Sequence, residues 1–260
     1  MKLSASNIGW EAADDERVSE ALHMRGYLGL EIAPTRLVPA PPYENNAQAA
    51  ALAGQLRERY GLCIPSMQSI WYGRSEKVFG SPQERETLAK YTCCAVDFAC
   101  AVGCPSLVFG CPKNRAIPQG GQEGVAINFF KQIGAYAAQH GCVIALEANP
   151  PVYGTNFMNT TSEAFRVAGL CGEGIAVNFD LGTLLTNGET LAPLAENLHK
   201  VSHIHISEPG LAPIEKRPVH RELAALLRAQ GYGGFVSVEM KAQPYEVVCE
   251  VLDYVAEVFG

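Results

Sequence analysis

Short apolar runs alternate with longer amphipathic stretches over the whole 260-residue chain. Eight of the short runs read as buried strands: KLSASNI, LGLEIA, CIPSMQS, SLVFG, VIALEAN, IAVNFD, VSHIHIS and GFVSVEM. Runs this short, bounded by Gly, Pro and polar loops, suit strands better than helices. Pro65 makes the third the weakest. The stretches between them repeat at helical spacing. EAADDERVSEALHMRG has an acidic start that suits a helix N-terminus, and Gly26 supplies its stop. AQAAALAGQLRERYG, SEAFRVAGLCG, TLAPLAENLHK and VHRELAALLRAQG follow the same logic. Strands alternating with helices imply a parallel sheet. Eight units without a linker or a break in composition predict one α/β domain over residues 1–260, a single (β/α)8 TIM barrel, a fold that takes about 250 residues. No GxGxxG follows the first strand, which argues against a dinucleotide-binding half.

Four polar side chains recur at the ends of the last four predicted strands: Glu147 in VIALEAN, Asp180 in IAVNFD, His205 in VSHIHIS and Glu239 in GFVSVEM. In a parallel barrel the strand C-termini form the mouth where active sites are built. A carboxylate in an apolar strand is costly unless it is paired or bound to a cation. Three carboxylates and one imidazole at one mouth make a site for one divalent metal ion. This oxygen-rich set favours Mn2+, Mg2+ or Co2+, while Zn2+ also fits it. His203, two residues before His205, shares its face of the strand and lies deeper.

The net charge of −7 makes nucleic acid a poor partner. No stretch approaches the roughly 20 apolar residues of a membrane span. Met1–Trp10 lacks the charged start and apolar run of a secretion signal. Nine cysteines, an odd number mostly within apolar runs and without a CxxC pair, predict reduced, buried thiols in a cytoplasmic protein.

The whole chain, most sharply from Glu147 onward, resembles the xylose isomerase-like TIM barrels, the group of sugar-phosphate isomerases and epimerases, ketose 3-epimerases and inosose dehydratases. SHIHISEP resembles the metal-histidine strand of the ketose 3-epimerases, with Glu208 at the place of an acidic residue there. GYGGFVSVEM is similar to the final strand of the group, and LEANP and NFDLG match its Glu and Asp strands. The resemblance implies that Glu147, Asp180, His205 and Glu239 are the metal ligands and that Glu147 and Glu239 are also the catalytic acid/base pair. It implies a small carbohydrate substrate and a homo-oligomer.

Two positions depart from the family's pattern. Thr183 stands where many members carry a substrate-contacting His, and Leu211 where the ketose 3-epimerases carry an Arg. Both shift the expectation away from a simple free ketose. Other residues are candidates for substrate contacts: Asn149, Thr183, His203, Glu208, His220, Lys113 and Arg115, the last two as anion binders on a loop that can equally be a plain solvated one. Trp71, Tyr72 and Tyr153 lie in long loops where an aromatic ring either stacks on a sugar or packs as a lid. Glu31 ends the second strand facing the site, in a structural or a functional role, and Lys241 can reach the rim.

The leading expectation is thus a divalent-metal-dependent sugar or sugar-phosphate isomerase/epimerase working through an enediolate. An inosose or keto-sugar dehydratase on the same scaffold is the first alternative, because it begins with the same proton removal. A non-catalytic sugar-binding barrel is the second. A phosphodiesterase with a histidine-rich, multi-zinc site fits poorly, since the chain has only six histidines.

Overall fold

The computed structural model describes residues 1–260. Seven parallel strands form one sheet: β1 Lys2–Ser6, β2 Gly29–Glu31, β3 Ser106–Phe109, β4 Val143–Glu147, β5 Ile175–Asp180, β6 Val201–Ile206 and β7 Phe235–Val238. Their order is β2-β1-β7-β6-β5-β4-β3. The third predicted strand, CIPSMQS, pairs only through isolated bridges, yet it joins the two edges of the sheet. Cys63 and Met67 bridge to Gly29 and Ile32 on one side, and Met67 bridges to Leu107 on the other. Backbone hydrogen bonds from Leu30 to Cys63, from Met67 to Ser106 and from Val108 to Met67, each 2.8–2.9 Å, close the TIM barrel. Pro65 has no N–H to donate, so this segment cannot make a continuous ladder.

The helices are α1 Asp15–Met24, α2 Pro34–Leu37, α3 Asn46–Tyr60, α4 Pro82–Val102, α5 Gly124–Gln139, α6 Thr161–Cys171, α7 Leu181–Asn187, α8 Ala192–Asn197, α9 Pro218–Ala229 and α10 Tyr245–Phe259. Local chemistry sets their ends. Ser81 with Glu84, and Thr160 with Glu163, form capping boxes at the starts of α4 and α6. Gly61 and Gly103 stop α3 and α4 in the left-handed conformation. On α9, His220, Leu223, Ala224 and Leu227 are buried at i, i+3, i+4 and i+7, the stripe that seats the helix. No helix is long and apolar enough to cross a membrane. The helical phase also corrects one expectation: Cys94 and Cys100 fall on the exposed side of α4, whereas Cys104, Cys142 and Cys171 are buried.

A second difference lies after β5. The sequence predicts one helix, TLAPLAENLHK; the structure has α7 starting directly at Leu181 and α8 after it. Asp180 is the reason, because its carboxylate accepts hydrogen bonds from the Gly182 and Thr183 amides and so caps α7.

Alternation along the strands divides the core. Leu3 and Ala5 of β1 join the apolar cluster beneath the helices, while Ser4 and Ser6 are buried polar residues between them. Glu31 of β2 contacts His203 and His205 of β6, although two strands separate β2 from β6. Such a contact runs across the barrel. The interior is therefore polar: Ser6, Glu31, Ser66, Gln68, Asn178, His203 and His205 are all buried and hydrogen-bond to one another.

Candidate metal and sugar site

The imidazole of His205 is the hub of this interior. Its Nδ1 lies 3.2 Å from the Glu147 carboxylate and 3.1 Å from that of Glu239. The ligand atoms of Glu147, His205 and Glu239 all lie within 4.8 Å of one another, and all three residues are buried. Glu147 arrives from the end of β4 and Glu239 directly follows β7, so the two flank β6 from opposite sides of the sheet order. On the other side of the ring, Nε2 lies 3.0 Å from Glu31.

The surroundings explain how this charge is tolerated. Burial opposes ionisation of Glu31, yet His205 and His203 beside it hold its carboxyl well below the usual range. Burial likewise works against the charge of His205, but Glu239, Glu31 and Glu147 together raise it well above the ordinary value. Glu147 is buried too and stays below the carboxylate norm because His205, Asn149 and Asn178 hydrogen-bond to it. Glu239 is pushed up to about 7, first by burial and then by the charges of Glu147 and Asp180, against the pull of His205. Crowded carboxylates, one of them resisting ionisation, are the electrostatics of a cation site. The donors are hard oxygens and one imidazole nitrogen, which fits a divalent metal ion.

Asp180 is placed differently. Its Oδ2 accepts from the Thr183 amide and hydroxyl, both 2.9 Å, and its Oδ1 from the Gly182 amide, 3.3 Å, and the Ser207 hydroxyl. The Thr183 hydroxyl and the Gly182 amide each have a single hydrogen, shared with the Ala148 carbonyl and the Ser207 hydroxyl respectively, so these contacts orient Asp180 without filling all its acceptor positions. Asp180 stands outside the trio of mutually close ligand atoms.

Asn149 is brought to the site. Its Nδ2 donates to Glu147, 2.9 Å, and its Oδ1 accepts from Arg115, 2.7 Å. His203 is fully buried, its Nε2 2.7 Å from Glu31, so it lies beneath the site rather than facing a substrate. Thr183 is tied to Asp180 and to the Ala148 carbonyl.

Several expected substrate contacts find other partners. Arg115 is fully buried and directs all five N–H donors at protein acceptors: the carbonyls of Gly110, Phe157, Met158 and Glu147, and Asn149 Oδ1. It has no donor left for a substrate anion. Glu208 is paired with Arg217 at 2.7–2.9 Å. His220 lies between α9 and α10, its Nδ1 2.9 Å from the Tyr254 hydroxyl, not at the strand ends. Trp71 is only 3% exposed; it packs edge-on to Phe109 and Phe129 and donates to Thr92, so it offers no open face to a sugar. Lys113 is exposed and lines a groove with Val152 and Tyr153.

Sequence reasoning missed Asn178, Ser207 and Gly110. Asn178 donates to Glu147, 2.7 Å, and sits 3.1 Å from His205. Ser207 donates to Asp180 and accepts from the Gly182 amide. Asn178 and Ser207 each lie two residues from a candidate ligand on the same face, so period two was the available signal for these two. At Gly110 a Cβ would stand 2.8 Å from Glu147 Oε2, so only glycine leaves room for that carboxylate.

Comparison with solved structures shows the same architecture. A 3-keto-D-glucoside 4-epimerase from E. coli superposes with a TM-score of 0.77 at 19% identity, over 99% of this chain and 98% of that one. The D-psicose 3-epimerase of Clostridium cellulolyticum H10, solved with D-tagatose, gives 0.78 at 14% identity over 100% and 99%. A probable 3-DHS dehydratase from Bacillus anthracis gives 0.71 at 14% over 99% and 98%. No curated protein matches the sequence. A family model matches residues 19–257, nearly the whole barrel, and the chain belongs to the xylose isomerase-like TIM barrel family.

Proposed function

We propose that this protein is a divalent-metal-dependent isomerase or epimerase of a keto-sugar or related polyol, working by proton transfer through an enediolate. One observation carries the reading: the carboxylates of Glu147 and Glu239 converge on His205 Nδ1, at 3.2 and 3.1 Å, from strands on either side of β6. Glu147, His205 and Glu239 would hold the ion, with Asp180 as fourth ligand once the Ser207 hydroxyl releases Oδ1. A bound divalent ion supplies Lewis-acid polarisation of a carbonyl and its neighbouring hydroxyl.

The protein's own groups do the rest. One glutamate takes the proton from the carbon beside the carbonyl, and the other returns a proton, which gives isomerisation or epimerisation according to where it is delivered. Asn149 and Asn178 hold Glu147 through 2.9 and 2.7 Å hydrogen bonds and so fix the direction of its carboxylate. Arg115 in turn fixes Asn149. The saturated guanidinium gives no support to a phosphate subsite, and the acidic interior disfavours anions, so the reading favours an uncharged substrate. The structural likeness to two sugar epimerases is consistent with it.

The test is exchange of substrate C–H for deuterium from solvent, screened over keto-sugars and polyol ketones with added Mn2+. The proposal expects exchange next to the carbonyl with some uncharged member. Loss of one water from the product would assign a dehydratase instead, and no exchange with any member would leave the barrel as a binding protein.

A further inference from the structure

We propose that Glu31 is a positioning residue for the cation site: acting through His205, it keeps the imidazole in the tautomer whose Nδ1 lone pair faces Glu147 and Glu239. The inference rests on the functional reading above in one respect, that the cluster holds a cation.

The geometry poses a problem that this arrangement solves. His205 has a carboxylate on each side of its ring: Glu31 3.0 Å from Nε2, and Glu147 and Glu239 3.2 and 3.1 Å from Nδ1. A neutral imidazole carries one N–H and one lone pair. If the proton sits on Nδ1, it is donated to the glutamates and no nitrogen lone pair faces the cluster. If it sits on Nε2, Glu31 accepts it and Nδ1 is free to bind a cation. Two carboxylates compete for the Nδ1 proton, so a lone neutral acceptor on the far side would be outmatched. A full carboxylate there restores the balance. Metal-binding histidines commonly donate their second N–H to such a group, which fixes the tautomer and the ring.

The fold holds Glu31 in this position through several buried partners. It is the last residue of β2 and has no exposed surface. Its Oε2 takes the Ser66 hydroxyl and both histidine Nε2 atoms, and its Oε1 takes Gln68 at 3.3 Å. Gln68 is itself anchored to Ser6 at 2.8 Å. His203 reinforces the assignment. Its Nδ1 is buried without a partner, so its N–H is the one at Nε2, 2.7 Å from Glu31. The rings of His203 and His205 meet edge to face at 5.4 Å, and one carboxylate oxygen serves both. Glu31 reaches no strand-end ligand except through His205. It is therefore not a catalytic residue but a group that acts through one.

The experiment combines Mn2+ titration, read by electron paramagnetic resonance, with 15N NMR of histidine-labelled, Zn2+-loaded protein. In the wild type, His205 should show metal on Nδ1 and a proton on Nε2. Glu31→Gln should weaken Mn2+ binding roughly 10- to 100-fold, the usual effect of removing such a partner. Ser66→Ala, which removes one donor to the same carboxylate but leaves the imidazole contact, should change it by less than about 3-fold on the same scale. Wild-type Mn2+ affinity in Glu31→Gln, or a loaded His205 protonated on Nδ1, would overturn the role. Should Glu31→Gln fail to fold, the wild-type NMR decides alone. Failure of the underlying reading looks different: His205→Ala would bind Mn2+ as tightly as the wild type, because the ion would lie elsewhere.

Discussion

His205 Nδ1 stands 3.1 Å from the carboxylate of Glu239, and burial with neighbouring negative charge pushes that carboxyl up to about 7. A carboxyl whose folded value exceeds its unfolded one favours the protonated, folded state. Its stabilising contribution is whole below about pH 4.3. It is lost as pH rises to about 7. The metal-free protein should therefore lose stability from this group between about pH 4 and 7. Mn2+ needs the deprotonated ligands, so its binding should release protons and weaken as pH falls below about 7. Thermal melts over this range with and without Mn2+, and calorimetry in two buffers of different ionisation enthalpy, check both signs. A Mn2+ affinity flat from pH 5 to 8 would contradict the assignment of Glu239.

The two glutamates should be separable from the fold. Glu147→Gln and Glu239→Gln each preserve shape and remove a proton carrier. Each should reduce solvent-exchange turnover by roughly 10^2- to 10^4-fold, the range of general acid–base contributions. Circular dichroism and melting should show a folded barrel. Near-normal turnover in either variant removes that residue from the proton-transfer role.

Gly110 is predicted to be a site of steric control. A Cβ there would meet Glu147 Oε2 at 2.8 Å. Gly110→Ala should displace that carboxylate and lower Mn2+ affinity at least several-fold, while the far-UV circular dichroism stays unchanged. Equal affinity in the variant would mean that Glu147 is not held where the site requires it.

Arg115 distinguishes a structural from a binding role. It has five hydrogen bonds to acceptors spread from Gly110 to Met158. Arg115→Ala leaves buried carbonyls unpaired and should destabilise the protein by about 3 kcal/mol or more. A substrate-binding arginine would show the opposite pattern, a raised KM with little change in melting temperature. Urea unfolding beside steady-state kinetics reads the difference.

These contrasts show what the sequence made legible. The strands and most helices follow from local spacing, which is why Glu147, Asp180, His205 and Glu239 could be placed on successive strand ends. The segment around Pro65 was weak in the sequence and is weak in the sheet, held by bridges rather than a ladder. Helix α7 was not legible because Asp180 does two things at once, ending β5 and capping the next helix. The partners of Arg115 and His220 could not be read either. A charged loop side chain looks the same in sequence whether it meets solvent or five carbonyls, and a helical histidine whether it meets a substrate or Tyr254. Glu31 lies 174 positions from His205, and only barrel closure brings them together.

The central claim is tested most directly by anomalous diffraction at the manganese edge from crystals grown with Mn2+. The account predicts one strong peak among Glu147, His205 and Glu239, within coordination distance of His205 Nδ1 and with Glu31 on the opposite side of the ring. An empty cluster, or a peak that does not touch His205, would contradict it.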